Sequence, residues 1–397
     1  MVFCRCQHRG SHAGRLTAEN ESTSRKVAFL ASQPMDRANA TQAAETKTPP
    51  RGDEPVSSRD EEVFATFRSQ IDAALDAHIP RGRPAALLQF PYDANVGNHM
   101  MWVATTDYLR ARQIPVGYVA HGSNFDVAAL RRAIGRGPIL FLGGVTISRL
   151  WPRHGEVKRL VADALPDNPL ISLPATSLLV DDADRQQAGA LFGRHANVTV
   201  MARDPESGAQ ARAAFPSSVN VVTVPDLALR LAAQPRRATA TFDIMWLRRG
   251  DTEAKAADPP SGVHVFDWPE PVKAISSSYV LLRASGLFSR LRSSRPGDAA
   301  AGLVNPPMAW LYRRASLEAL RYGNTTLDRG TVLVTDRMHP HVLAALRGQH
   351  VVLLPDRFGK NRAVYDFGTH RLNTVHWADT PAQALDIART LAAKHPH

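Results

Sequence analysis

From about residue 84 onward, short apolar runs alternate with helix-patterned segments, and this alternation constrains the fold more than any other feature of the chain. AALLQF at 85–90, IPVGYVA at 114–120, PILFLGG at 138–144, PLISLPA at 169–175, VTVMA at 198–202 and VVTVP at 221–225 have the length and composition of buried strands. Helix-like stretches separate them near 98–112, 124–134, 154–165, 181–192 and 205–215. The order predicts an α/β fold with a parallel sheet covered on both faces. Such sheets collect ligands in the loops beyond the carboxyl ends of their strands.

The rhythm breaks at LAAQPRRATAT, 231–241, and resumes with TFDIMWL and GVHVFDW as strands. Helix-like segments follow near 271–288 and 304–322, then the strand–turn–helix run TVLVTDRMHPHVLAALRG, the strand VVLLP at 351–355 and a terminal helix in PAQALDIARTLAAK. This predicts two α/β domains facing across a cleft, at 61–235 with a leading helix and at 236–397; one large sheet with a helical insertion is the alternative. The 397 residues are enough for two cores. Residues 1–60 are polar and run into TKTPPRGDEPVSSRDEE, which predicts an extension without a folded core.

Cys4 and Cys6 are the only cysteines and both lie in that extension, so the remainder has no disulfide framework and no cysteine-ligated metal. KVAFLASQP at 26–34 is too short in its apolar centre for a secretory segment, and no run of about 18 apolar residues suggests a membrane span. A soluble protein is expected. The formal charge is +11. Most of the excess lies beyond residue 60, which favours a phosphate-rich substrate, nucleic acid or an anionic lipid surface. Scattered basic residues and the lack of an aromatic-plus-basic module rank nucleic acid last.

Several strand-end segments carry residues suited to chemistry. In VLVTDRMHPHVLAALRG, Asp336, Arg337, His339 and His341 crowd a strand-to-helix connection. Arginine can grip planar anions through paired N–H groups, and histidine exchanges protons near neutral pH, so Arg337 and His339 read as an anion site with an acid/base. A helix cap at Asp336 and a packing histidine are the plainer reading. FPYDANVGNHMMW at 90–102 offers Asn95, Gly97 and Asn98 between a strand and a helix, either as a phosphate cradle or as a turn; it lacks the P-loop and dinucleotide spacings. FLGGVTISRLWPRHGE at 141–156 offers Gly143 and Gly144 for close approach, the hydroxyls of Thr146 and Ser148, the cations Arg149 and Arg153, and Trp151 as a platform for a sugar face. Arg203 could reach a phosphate, with Asp204 and Ser207 either orienting it or capping the next helix. In LRRGDTE, Arg248 and Arg249 could face the cleft, held by Asp251 and Glu253. Lys360 follows a strand and a glycine, where its flexible cation suits an anion. SRLRSSRPG at 289–297 reads as a solvated basic loop. No HExxH or GxSxG pattern occurs, and no metal site is expected.

Taken in order, NVGNHMMW, LGGVTISRLWP, ISLPATS, MARDPES, VPDLAL, WLRRGDTE, VTDRMHPHVLAALRG and GKNRAVYDF resemble the motifs of the polysaccharide pyruvyl transferase family across roughly 84–370. The resemblance implies two Rossmann-like domains in a glycosyltransferase-B-like arrangement, and transfer of a pyruvyl group from phosphoenolpyruvate to a saccharide of an exopolysaccharide or other cell-envelope glycan, forming a ketal. It implies His339 and Arg337 as catalytic, with Arg203, Lys360, Asn95, Gly97 and Asn98 joining Arg337 and Arg248 around the donor. The chain departs from the family pattern at His99, Val145, Thr146, Arg149 and Ala175. Thr146, Ser148, Arg149 and Trp151 are accordingly expected to select the acceptor. No cofactor is implied, phosphoenolpyruvate being a substrate. The resemblance implies a cytoplasmic enzyme, and a lipid-linked acceptor, which such enzymes can use, would bring it to the inner face of the membrane. A nucleotide-sugar-dependent glycosyltransferase and a noncatalytic carbohydrate-binding protein are the alternatives.

Overall fold

The structure, a computed structural model, describes residues 56–93, 95–122, 124–147, 152–192, 195–251, 253–255, 259–268 and 298–395. In chain order its elements are α1 (Ser58–His78), β1 (Ala85–Leu88), α2 (Val96–Ala111), β2 (Val116–Ala120), α3 (Val127–Ile134), β3 (Ile139–Phe141), β4 (Gly144–Ile147), α4 (Pro152–Ala164), β5 (Leu170–Ser177), α5 (Asp182–Phe192), β6 (Val198–Ala202), α6 (Pro205–Ala214) and β7 (Asn220–Thr223). A short 3-10 turn (Leu227–Arg230) leads to β8 (Phe242–Leu247), β9 (His264–Phe266), α7 (Asp298–Leu327), β10 (Gly330–Thr335), α8 (Met338–Ala345), β11 (Val351–Leu353), α9 (Lys360–Phe367), a second 3-10 turn (Thr369–Arg371), β12 (Val375–Trp377) and α10 (Pro381–Lys394).

The strands form two separate sheets, β2-β1-β3-β5-β6-β7 with β4 paired to β5, and β12-β11-β10-β8-β9. All pairings are parallel. The fold is therefore two α/β domains, and the single-sheet alternative is excluded. Within β1, Leu87 points to one face and Leu88 to the other, each into a different apolar cluster. That two-residue period on buried surfaces is why the strands read as unbroken apolar runs.

One apolar layer is shared by both sheets. Phe67 and Ile71 of α1, Met101 of α2 and Leu343 of α8 pack in a continuous cluster with Leu87 and Leu140 on one side and Met245 and Leu333 on the other. Each such side chain, once fully buried, contributes roughly 1.5–3 kcal/mol. Helix α7 follows β9 in sequence yet packs on α2 and β2 of the first domain. Phe90 stacks on Tyr312 of α7 with ring centroids 4.0 Å apart. The helix carries Pro306 and Pro307 inside its span and extends beyond the 304–322 expected from periodicity. The segment expected as a helix at 271–288 lies outside the described residues.

Helix α1 ties the domains together. Its cap is Ser57, whose side chain accepts from the Asp60 amide. Asp60, buried in its first turn, accepts from the Asn373 amide at 2.6 Å and the Thr374 hydroxyl at 3.0 Å. Further along, Asp72 and Asp76 hold Arg112, and Asp72 also holds Arg230. No helix among the described residues is long and apolar enough to cross a membrane.

The run PILFLGG, expected as one strand, is divided. β3 ends at Phe141, and β4 starts at Gly144, whose φ of +109° is a conformation side chains rarely adopt. A Cβ on Gly143 would lie 2.1 Å from the Pro174 carbonyl oxygen, so only glycine passes there. The division turns the chain toward the carboxyl edge of the sheet.

Candidate active site

The carboxyl ends of both sheets open on one cavity of about 870 Å³, within the range of small-molecule sites. Among the described residues four cations line it: Arg203 beyond β6, Arg249 beyond β8, Arg337 beyond β10 and Lys360 at the start of α9. Parallel strands with short loops deliver such residues to one edge from distant sequence positions.

Each cation is held by a carboxylate. Arg203, 3% exposed, donates from Nη1 to Asp226 at 3.1 Å. Asp226 lies beyond β7 and also accepts from the Ala228 amide, starting the first 3-10 turn. His339 places Nε2 3.5 Å from the same carboxylate. Burial alone would raise the Asp226 carboxyl, but His339, Arg203 and the Ala228 amide overcome it and hold it well below the usual carboxylate range. Arg337 forms a two-point pair with Asp267, both contacts at 2.8 Å, and lies 3.4 Å from Asp251. Arg249 makes its own two-point pair with Asp251, at 2.9 and 3.0 Å, and meets Glu253. Glu253 is shared with Lys360. Burial pushes the Lys360 amine down, opposed by Glu253 and reinforced by Arg203 and Arg249.

Local chemistry fixes these positions. The Arg249 amide donates to Asp336, whose carboxyl burial pushes up. Asn361 bridges the strand ends, donating to the carbonyls of Asp336 and Leu354. The Arg337 amide donates to Thr335 Oγ1. Asp204 accepts from both the amide and the hydroxyl of Ser207 at 2.7 Å, so this pair caps α6.

Arg248, expected among the donor cations, is not on the cavity wall; Arg249 occupies that place. Beyond the end of β8 the strand alternation that would rank the two arginines no longer applies. His341 also lies away from the cavity. It is fully buried, its Nε2 3.3 Å from Thr369 Oγ1, and burial pushes it down to about 3.

The loop at 93–98 is held by its own polar groups. Asp93 accepts from the Asn95 amide and from the Asn98 side chain, while Asn95 Oδ1 accepts from the Gly97 amide and caps α2. Asn95 and Asn98 line the cavity. Gly97 serves another purpose: a Cβ there would sit 2.3 Å from the His339 ring. The glycine is the floor on which that imidazole lies. His99 links α2 to α7 through Ser316 at 3.0 Å and to the preceding loop through the Asp93 carbonyl, also at 3.0 Å. Ser148, Arg149 and Trp151 lie outside the described residues, as do the side chains of Thr146 and Arg153.

Asp226 and Asp267 were not singled out by sequence reasoning. Asp226 sits in VPDLAL, immediately after a strand, which is the signal that could have found it; Asp267 follows β9 in the same way.

Fold and site together define a cavity lined by cations at the carboxyl ends of two parallel sheets, and the chain is similar in sequence to known proteins. Residues 95–276 match the polysaccharide pyruvyl transferase family. Pyruvyl transferase 1 of Schizosaccharomyces pombe is 27% identical over 318 residues, covering 77% of this chain and 75% of that protein. EpsO of Bacillus subtilis, named as a candidate pyruvyl transferase, is 20% identical over 298 residues, covering 75% of this chain and 88% of that protein. A solved structure of a functionally uncharacterised Klebsiella pneumoniae protein aligns with 79% of this chain and 99% of its own at 15% identity and a TM-score of 0.47. The family match and both relatives support assignment of the chain to the polysaccharide pyruvyl transferase family.

Proposed function

We propose that the protein transfers a pyruvyl group from phosphoenolpyruvate to a saccharide, forming a cyclic ketal. The observation that carries the reading is the ring of Arg203, Arg249, Arg337 and Lys360 around one cavity, with His339 between Arg203's carboxylate partner and Gly97. A donor bearing phosphate and carboxylate matches cations set at several strand ends, and arginine forks match planar oxygens. The carboxylate partners hold these cations in place, so binding exchanges one anion for another with little reordering of side chains.

In this reading a sugar hydroxyl adds to the central carbon of the donor while a proton reaches its methylene carbon, which becomes methyl. The carbon–oxygen bond to phosphate then breaks, and a second hydroxyl closes the ketal. One hydroxyl proton is balanced by the new methyl group and the other leaves with phosphate. Arg337 neutralises the donor anion, and His339 delivers the proton, its ring oriented by Asp226. Asn95 and Asn98 border the donor. The loop carrying Thr146, Ser148, Arg149 and Trp151 selects the acceptor, which we take to be a lipid-linked glycan reached from the cytoplasmic face. The paired domains we read as glycosyltransferase-B-like.

The test is incubation with phosphoenolpyruvate and a panel of defined glycans, following phosphate release and the mass of the acceptor. Pyruvylated product with stoichiometric phosphate supports the reading. Transfer of a sugar from a nucleotide donor in the same panel, with no use of phosphoenolpyruvate, overturns it in favour of a glycosyltransferase.

A further inference from the structure

One stretch of the cavity wall carries no cation among its described residues, and it holds two buried polar atoms without hydrogen-bond partners. Gln89 follows β1 and has φ +66°, one of two non-glycine residues in the left-handed region among those described. Strand alternation would send its side chain to the middle layer with Leu87. The left-handed turn sends it instead to α4, where Nε2 donates to the His154 carbonyl at 3.0 Å. A carbonyl only accepts, so the amide nitrogen is fixed there and Oε1 is the free end, buried without a partner. His154 Nδ1 is likewise buried and without one. Burial, aided by Lys158, pushes His154 down to about 4, so its ring is neutral at pH 7 and Nδ1 can donate or accept according to tautomer.

A carboxamide oxygen repels an anion and needs a donor. A neutral imidazole nitrogen takes either partner. Together they suit hydroxyls, which both donate and accept. Beside them on the same wall, Tyr92 and His121 lie with centroids 5.2 Å apart and planes inclined by 30°, and Phe125 adds a further apolar surface. Tyr92 is 43% exposed. An aromatic face with adjacent hydroxyl partners matches a pyranose ring, which has a C–H face and a polar rim. A left-handed backbone at a residue such as Gln89 is retained only where its surroundings over-determine it, and such positions cluster at ligand sites.

Resting on the pyruvyl-transfer reading, we propose that Gln89 and His154 bind hydroxyls of a neutral sugar ring seated against Tyr92 and His121, and that this wall is the acceptor subsite. It makes the acceptor's terminal residue an uncharged hexopyranose. Charge carried by the acceptor lies further along, outside this subsite.

The experiment uses the full chain with methyl glycosides of glucose, galactose, mannose and N-acetylglucosamine as probes, observed by saturation-transfer NMR, with phosphoenolpyruvate binding measured separately by calorimetry. Expected is saturation transfer to at least one glycoside, weakened roughly five- to tenfold in affinity by Gln89→Met and by Tyr92→Ala, with phosphoenolpyruvate affinity changed by less than about twofold. Tyr92→Ala removes an exposed ring and guards against misfolding of the Gln89 variant. Unaltered glycoside binding in both folded variants overturns the subsite, as does a wild-type protein that binds none of the four. A wild type that binds glycosides through this wall but never binds phosphoenolpyruvate overturns the donor assignment and leaves the subsite standing.

Discussion

Replacing Gly97 with alanine adds one methyl group under the His339 ring. An ideal Cβ there would lie 2.3 Å from both Cγ and Nδ1 of His339 and 2.4 Å from its Cβ, where ordinary contact begins at 3.4 Å. The ring must therefore withdraw by about 1 Å or the helix start must shift. Gly97 lies in the first turn of α2, where alanine gains up to about 1 kcal/mol of helix propensity over glycine. Overpacking costs roughly 1–3 kcal/mol, so the clash outweighs the propensity gain. Misplacing a catalytic group by about 1 Å costs on the order of 100-fold in rate. The expected result is kcat reduced by about that factor, with phosphoenolpyruvate affinity changed less than about threefold because the arginines and Lys360 are untouched. Turnover would be followed by phosphate release, affinity by calorimetry and folding by thermal melting. A folded Gly97→Ala protein with wild-type kcat would refute the argument that this floor positions a catalytic imidazole.

Arg249→Ala should weaken phosphoenolpyruvate binding by roughly 10- to 100-fold, the scale of a charged hydrogen bond, whereas Arg248→Ala changes it by less than about twofold; equal losses in calorimetry would contradict the assignment of Arg249 to the cavity. Stability should fall on acidification. Burial holds His154 and His350 near 4 and His341 near 3, while imidazole in the unfolded chain titrates near 6.5, so between those values the unfolded state binds more protons. Asp226, held below the usual carboxylate range, adds stability that is lost only further down, as pH falls below about 4. Urea midpoints should drop from pH 7 to pH 5 and drop less in His341→Gln; midpoints independent of pH would rule out this origin.

The apolar runs disclosed the strands because a parallel sheet buried on both faces leaves few polar positions within them. The division between β3 and β4 was not legible, since it depends on Gly143 meeting the Pro174 carbonyl, a contact made only in the folded sheet. Helix α7 was legible as a helix but not as a structure that crosses to the first domain. In the cavity, cations could be recognised by type and by their place after strands. Their partners could not. Glu253 meets Lys360 across 107 positions and Asp267 meets Arg337 across 70. Such pairings are set by sheet order, which periodicity does not encode. Gln89 was hidden for a different reason: glutamine at a strand end says nothing of a left-handed backbone.

Helix α1 has a consequence for how the chain comes to be folded. Its buried Asp60 finds the Asn373 amide 313 positions later. At roughly 5–20 residues per second, a ribosome needs about 15–60 s to add the intervening chain. Throughout that interval α1 can lie against the first domain through Asp72 and Asp76, but the Asp60 carboxylate lacks its final partners. The leading helix thus acts as a clasp whose second half is made long after the first, and the joined domains acquire their lock only once Asn373 and Thr374 have been added.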